Sequence, residues 1–386
     1  RSVGRRLMDD PNVSRFVQAY GDRLTGVHLV GGSVRDLLVG GAPREIDLVV
    51  EGDAVALARD LASSVDSVAT VHDRFGTASF MFGDCSVDLA AARAESYPEP
   101  GALPVVSPGG AIDQDLLRRD FTVNSIAVSL DPKGFGEVTA AEGALDDLAE
   151  GLVRVLHPAS FVDDPTRLWR MCRYAGRLGF SIEPATLALA VEAVSGGALE
   201  TVSRKRHGAE LVRCIDISEP DHVLDLLIGI GLFDGVRLAD PSNGIRESAY
   251  DLAHGHCGRD EVRVAAIFRK GDSHTTAASM ELPSKFAPIA ARGHRTEQIA
   301  SLLSSGPTRV ELYRTLRGIP GAVVAVAGAV SGADAARVWL DELAHVEAPV
   351  TAAQLLAAGI TEGPRIGIAL DAARAAAVEN QMISDL

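Results

Sequence analysis

Glu45 and Asp47 stand two residues apart at the entrance of an apolar run, Ile46 to Val50. Successive side chains of a strand alternate between faces, so these two carboxylates point the same way. Clustered carboxylates are costly unless a cation neutralises them, and oxygen-only ligands beside phosphate suit Mg²⁺, which keeps waters and substrate oxygens in its shell. A phosphate site is written just upstream. Val27 to Val30 reads as a buried strand, Gly31-Gly32-Ser33 as a tight turn and Val34 to Leu38 as the first turns of a helix. That succession aims backbone N–H groups at one spot, which favours an anion. Arg35, one turn into the helix, adds a bidentate phosphate contact that lysine could not reproduce. The dinucleotide fingerprint, G-x-G-x-x-G with an acidic residue about twenty positions later, is not found here.

The elements that must hold these groups follow downstream. Ser79 to Phe82 and Ser86 to Leu89 flank a Gly83-Asp84 turn and read as a hairpin. Asp88 at its end is a candidate third carboxylate, with a surface strand end as the alternative. Ala91 to Pro108 is rich in proline and glycine and reads as an irregular, mobile loop. A helix through Asp115 to Ala127 puts Arg119, Asp120 and Asn124 on neighbouring turns, offering the cation, acceptor and amide that sugar and phosphate recognition needs. Asp164 and Arg167 are three apart, on one side of a helix opening at Pro165. Such a pair either meets the Watson–Crick edge of a base or forms an ordinary helix-start salt bridge. Arg170, Arg173 and Arg177 continue a basic face. Arg204-Lys205-Arg206-His207 is a second basic cluster, read either as RNA-binding or as a solvated face.

A chain of 386 residues exceeds what one small core organises, and 47% hydrophobic content is ample for two or three modules. Past Pro184 the apolar spacing is helical, at Leu187, Leu189, Val191, Leu211, Val223, Leu226 and Leu227. The longest apolar stretch, Ala322 to Val330, is too short for a bilayer span, and Arg1 to Asp10 has no apolar core of a secretory signal. No membrane partner is expected. Cys85, Cys172, Cys214 and Cys257 are scattered without a C-x-x-C pair, as free thiols in the reducing cytoplasm would be. His254, His256 and Cys257 lack a second ligand pair at zinc spacing and read as structural or surface residues. The net charge of −15 argues on average against nucleic acid, so any RNA contact has to come from the local arginine clusters.

The string GG-x-VRD-x-L-x-G-x4-[D/E]-x-D, followed by a strand, resembles the nucleotide-binding signature of the class II nucleotidyltransferases: CCA-adding, A-adding and CC-adding enzymes and poly(A) polymerases. That resemblance makes Glu45 and Asp47 the holders of catalytic metal ions, with Glu45 where the family usually has aspartate. The segment Arg118-Arg119-Asp120-Phe121-Thr122-Val123-Asn124 is similar to the family's RRDFTxNA element. The loop after the hairpin matches one that organises the incoming nucleotide. Asp164 and Arg167 match a protein template that selects C or A, and Arg170 and Arg173 match positions that contact nucleotide phosphates. The stretch from Pro349 to Gly367 resembles a late helical element, with Ala352 and Gln354 replacing the usual glycine and aspartate.

The resulting expectation is an α+β chain: a mixed-sheet nucleotidyltransferase head at 20–145, then an all-α neck at 146–240 and an all-α body and tail at 241–386. Gly31, Gly32, Ser33, Arg35, Arg119, Asp120, Asn124, Asp164, Arg167, Arg170 and Arg173 bind the nucleotide. Glu45, Asp47 and Asp88 are catalytic, with Mg²⁺ on Glu45 and Asp47. Arg177, Arg204, Lys205 and Arg206 bind RNA. The implied reaction adds CMP and/or AMP from CTP or ATP to the 3′ end of tRNA, releasing pyrophosphate. A poly(A) polymerase of the same family and a non-catalytic RNA-binding relative are the alternatives, and nothing in the sequence sets an oligomeric state.

Overall fold

The computed structural model describes residues 3–384, apart from 44, 73–75, 97, 100, 102–103, 234, 236, 239–243 and 270–276. The chain divides into two compact units, Arg1–Val202 and Ser203–Leu386. This boundary differs from both expected ones, at 145 and 240, and it divides the expected neck between the units.

In the first unit, helices α1 (Val3–Asp9) and α2 (Pro11–Tyr20) precede strand β1 (Val27–Val30), helix α3 (Gly31–Leu38), strand β2 (Glu45–Val50) and helix α4 (Ala54–Ser63). Strands β3 (Thr70–His72), β4 (Thr77–Phe82) and β5 (Cys85–Ala91) come next. A separate two-stranded pair, β6 (Arg93–Ser96) with β7 (Val105–Pro108), leads to helix α5 (Ile112–Leu117), strands β8 (Ile126–Ser129) and β9 (Val138–Ala140), and helix α6 (Ala144–Glu150). The main sheet has seven strands in the order β3-β4-β5-β2-β1-β8-β9. Its pairings are antiparallel except between β2 and β5, where Asp47 lies beside Asp88. That single parallel pairing places two carboxylates side by side.

Alternation explains how the sheet is covered. Val27, Leu29 and Val30 of β1 and Ile46, Leu48, Val49 and Val50 of β2 are all buried. Helix α3 packs on β1, β2 and β8, and α4 on β4 and β5. Val30, Val49, Ala92, Ala127 and, from α5, Ile112 and Leu116 form a core cluster that joins α5 to the sheet. At the edge, Phe16 and Tyr20 of α2 pack against Phe82 with ring centroids 5.5 Å apart in each case.

The rest of this unit is helical, with one exception. Helices α7 (Ser160–Asp163), α8 (Arg167–Leu178) and α9 (Pro184–Ser195) are accompanied by a two-residue parallel pair, β10 (Leu152–Val153) with β11 (Ser181–Ile182), inside the region expected to be all-α. Runs that short are invisible to periodicity. Helix α8 buries Arg167, Leu168, Trp169, Met171, Cys172 and Ala175 and leaves Arg170, Arg173 and Arg177 half-buried.

Two further expectations are corrected. Ala91 to Pro108 is not irregular throughout, because Arg93–Ser96 pairs antiparallel with Val105–Pro108; part of the intervening turn lies outside the described residues. Nor does one helix run through Asp115 to Ala127: α5 stops at Leu117, Thr122–Asn124 forms a single 3₁₀ turn and β8 begins at Ile126. Phe121 bridges to Val155 and the Thr122 N–H donates to the Arg154 carbonyl, tertiary bonds that outcompete helix propensity here.

The second unit is wholly helical among its described residues. It runs through α10 (Arg204–Ile215), α11 (Pro220–Gly229), α12 (Ile245–Ala253), α13 (Arg259–Ile267), α14 (Ala287–Gly293), α15 (Thr296–Ser304), α16 (Arg309–Leu316), α17 (Gly321–Val330), α18 (Ala333–Asp341), α19 (Ala352–Ala357) and α20 (Pro364–Ser384). Helix α17 buries every residue from Ala322 to Gly328 because α12, α13, α14, α15 and α18 all pack on it. Its apolar run is therefore a core helix, and no helix among the described residues is long and apolar enough to cross a membrane.

The joint between β1 and α3 decides where the helix N-terminus points. Gly31 has φ +62°, in the left-handed region, and a Cβ there would lie 3.0 Å from the Arg119 guanidinium. Gly32 is outside that region. Gly31→Ala should therefore cost roughly 1–2 kcal/mol in urea denaturation, and Gly32→Ala distinctly less.

Candidate active site

Helix α3 has no side chain capping its first turn, so the N–H groups of Gly31, Gly32 and Ser33 remain available to an anion. A Cβ at Gly32 would lie 3.8 Å from Asp47 Oδ2, which puts the metal-ligand candidate directly against the glycine turn. The Ser33 hydroxyl donates to Asp47 Oδ2 at 3.0 Å and to the Glu45 carbonyl at 2.9 Å, and the Asp47 N–H donates back to it at 3.0 Å. Ser33 is buried, so it braces the acidic strand from behind.

The strand register completes an acidic cluster. Glu45, Asp47 and Asp88 each offer an oxygen within 4.8 Å of the others, with Glu45 exposed and the two aspartates half-buried. Burial first, opposed by the Ser33 hydrogen bond, and then the neighbouring Asp88 push the Asp47 carboxyl above its ordinary range. Three oxygen donors gathered this closely fit a hard divalent cation, which relieves their repulsion and replaces lost hydration.

Around this centre the arginines are tied to acidic and amide partners. Arg119 donates to Asp115 at 2.9 Å and to the Asn124 carbonyl at 3.4 Å, and lies over Gly31. Arg35, expected at a phosphate, is only 1% exposed. Its guanidinium donates to Asn124 Oδ1 at 2.5 Å and to Asp36 at 2.7 and 2.9 Å, so it anchors the turn from inside. Asn124 Nδ2 donates to Asp120 Oδ1 at 2.9 Å, and Asp120 Oδ2 accepts from Arg170 Nε at 2.7 Å. Arg119, Asp120 and Asn124 thus do come together, through a turn instead of a helix.

Asp164 and Arg167 are also brought close in sequence geometry, although the helix opens later than expected. Asp164 is extended and accepts from the Thr166 N–H at 3.1 Å and hydroxyl at 2.7 Å, an Asx turn that leads into α8. Arg167 is buried and donates to the Ser160 hydroxyl at 2.6 Å and to the Arg118 carbonyl at 3.1 Å. Arg173 lies further along α8, and Arg177 approaches Asp36 at 3.6 Å. In the second unit, Arg204, Lys205 and Arg206 form the first turn of α10, capped by Ser203, where the helix dipole disfavours cations and favours an anion brought to them. His256 Nε2 lies within hydrogen-bond distance of Asp341 Oδ1, at 2.8 Å, and the ring stacks on His345, a pairing the sequence did not suggest.

Several residues of the site escaped sequence reading. Glu95 accepts from Arg118 at 2.8 Å and from Arg93 at 2.9 Å, while Asp115 holds both Arg118 and Arg119. The i, i+3 and i, i+4 spacing of Asp115 to these arginines was the available signal. Asp36 and Tyr174 had only their adjacency to arginines, and Ser160, seven residues before Arg167, had no local signal.

Residues 27–154 match the poly A polymerase head domain. The likeness to this family's model is carried by the head, Val27 to Arg154. It is 42% identical over 231 residues to an A-adding tRNA nucleotidyltransferase of Geobacter sulfurreducens, covering 59% of this chain and 26% of that protein. It is 38% identical over 214 residues to another from Halalkalibacterium halodurans, covering 52% and 50%. The chain thus spans between about a quarter and a half of the length of these curated relatives. Among solved structures, a CCA-adding enzyme in apo form II superposes with a TM-score of 0.72 at 27% identity, covering 100% of this chain and 99% of that one. The Thermotoga maritima CCA-adding enzyme complexed with tRNA superposes with a TM-score of 0.66 at 27% identity, over 96% and 93%.

Asp120 gives this head a pH-dependent joint. Burial acts to raise its carboxyl, but the Arg170 charge and the Asn124 and Arg170 hydrogen bonds outweigh it and hold the group below its ordinary range. The stabilisation is therefore complete above about pH 4, the unfolded value, and is lost as pH falls through the lower folded one. Asp120→Asn should lower stability by about 1–3 kcal/mol at neutral pH, with the gap from wild type closing in acid when thermal melts are followed from pH 7 to pH 3.

Proposed function

We propose that this protein is a template-independent RNA nucleotidyltransferase that adds CMP and/or AMP to the 3′ end of tRNA from CTP or ATP. The observation that carries the reading is the convergence of Glu45, Asp47 and Asp88 beside the uncapped glycine turn. The tRNA-processing names of the relatives and structural neighbours support the acceptor, and the A-adding relatives make ATP the nucleotide to try first.

In this reading residues 20–145 are the catalytic head, 146–240 the neck and 241–386 the body and tail. Glu45, Asp47 and Asp88 hold the divalent cation, proposed as Mg²⁺ from the all-oxygen donor set. When bound, the cation lowers the pKa of the attacking hydroxyl and offsets charge on the triphosphate. The acceptor's 3′ oxygen bonds to the α-phosphorus as the bond to pyrophosphate breaks, and the hydroxyl proton leaves to solvent. The N–H groups of Gly31, Gly32 and Ser33, with Arg119 above the turn, bind the departing phosphates, since fixed donors in a preorganised site stabilise charge that grows in the transition state. Asp164 and Arg167 read the base edge, and Arg173 adds to phosphate binding. The scattered thiols suit a reducing compartment, proposed as the cytoplasm.

Purified protein is incubated with Mg²⁺ and labelled CTP or ATP on tRNA ending at the discriminator base, after the first C or after the second C. Incorporation should occur on at least one of these ends, and its pattern identifies which nucleotides are added. Asp47→Ala should lower the rate by two orders of magnitude or more, and Glu45→Asp should retain incorporation; an Asp47→Ala enzyme turning over near the wild-type rate would remove the metal assignment.

The basic turn of α10 generates a separate expectation. Phosphate contacts release counterions, so tRNA affinity should fall with salt. Replacing Arg204, Lys205 and Arg206 together by alanine should flatten that slope by up to about three ion equivalents while sparing triphosphate binding. Filter binding across a salt series checks it, and an unchanged slope would leave α10 as a solvated surface.

A further inference from the structure

Tyr174 is a residue that the reaction as described does not use, yet three guanidinium groups converge on it. The Arg35, Arg170 and Arg173 guanidinium carbons lie 5.2, 5.4 and 5.6 Å from its ring centroid. Its hydroxyl accepts from Arg170 at 2.9 Å, and its ring packs edge-on against Phe121 at 5.9 Å. Following the bonds from Arg35 leads through Asn124, Asp120 and Arg170 back to Tyr174 and so to Arg35 again. The loop is closed, and Tyr174 is where it closes.

The elements joined in this way are those that the reaction has to hold in register. Arg35 belongs to α3, whose first residues are the glycine turn; Asn124 and Asp120 belong to the segment that carries Arg119; Arg170 and Tyr174 belong to α8, which begins at Arg167. Rotating or sliding α8 relative to α3 separates at least one guanidinium from the ring. Each such contact contributes modestly by itself, but Arg35 is fully buried, and a cation away from water gains more from an aromatic face. The hydrogen bonds alone already link the same elements, so the ring supplies what they lack: a common seat fixing the rotation of α8 about its own axis.

We propose that Tyr174 is a positioning residue that sets the base-reading start of α8 against the phosphate-binding start of α3, acting through Arg35 and Arg170. The proposal rests on the nucleotidyltransferase reading. It predicts that the aromatic face matters and the hydroxyl is secondary.

The test replaces Tyr174 by Phe, Leu and Met in the full chain, and by phenylalanines carrying one, two or three ring fluorines, which withdraw electron density from the face without changing its shape appreciably. Steady-state incorporation of ATP and CTP on tRNA, ATP binding by calorimetry and thermal melts are measured for each. Tyr174→Phe should stay within about threefold of wild type in kcat/KM. Tyr174→Leu or Tyr174→Met should lose at least tenfold and discriminate less between ATP and CTP, and kcat/KM should fall stepwise along the fluorine series at nearly constant Tm. A Phe variant as impaired as the Leu variant, or a fluorine series with no trend, would overturn the proposal. If Leu and Met fail to fold, the fluorine series decides. A wild-type protein that binds ATP but incorporates nothing would defeat the nucleotidyltransferase reading, while the fluorine series read by ATP binding still judges Tyr174; binding independent of ring electronics overturns it.

Discussion

Like charges resist being gathered, and this head gathers three carboxylates at one place on its sheet. The parallel pairing of β2 with β5 sets Asp47 directly beside Asp88, while alternation along β2 adds Glu45 on the same side. Neither aspartate can retreat, because the apolar neighbours Ile46, Leu48, Val87 and Leu89 fix both strands in the core. The repulsion is thus built in by burial of hydrophobic surface, the dominant favourable term in folding, and the site is the place where that stability is used to hold an unfavourable arrangement. Ser33 limits the damage with its hydrogen bond to Asp47, and Arg119 adds an opposing charge. A divalent cation held by the three carboxylates would complete the balance.

Much of this was visible in the sequence because it rests on short-range rules. Val27 to Val30 reads as a strand and is one, since Val27, Leu29 and Val30 stand directly before two glycines. The hairpin around Gly83-Asp84 was equally plain, with β4 and β5 each longer than expected by a few residues. The three acidic residues needed only alternation and one pairing. Asp88 was the less certain member, because nothing local says that β5 lies parallel to β2.

What stayed hidden depends on partners far away in the chain. The strands β6 and β7 are four residues each, in a stretch whose prolines and glycines mask any period, and their position is supported by Glu95 reaching Arg118, 23 residues on. The turn at Thr122–Asn124 interrupts a sequence with helix-compatible residues because Phe121 and Thr122 bond to 154–155. Arg35 was read as a phosphate ligand from its place one turn into a helix, which sets its angle but not its depth. Its burial follows from Asn124, 89 residues away. Spacing can therefore nominate a guanidinium, whereas the carboxylates and amides around it decide whether it faces a ligand or another element.

The same pairing bears on the acidic balance of the chain. A net charge of −15 suggests a surface that repels nucleic acid, yet many of its carboxylates are committed to arginines within the first unit: Asp36 to Arg35, Glu95 to Arg93 and Arg118, Asp115 to Arg118 and Arg119, and Asp120 to Arg170. A carboxylate that fixes a guanidinium does not simply cancel it, because the pair is a dipole whose orientation the fold sets. Arg119 shows the effect: Asp115 behind it is fully buried, while the guanidinium itself lies against Gly31 at the uncapped turn. The cation is aimed at the proposed phosphate position and its counter-charge is withdrawn into the core. Overall charge and the local placement of cations are for that reason separate properties here, and the acidic residues are part of what fixes the arginines at the proposed anion site.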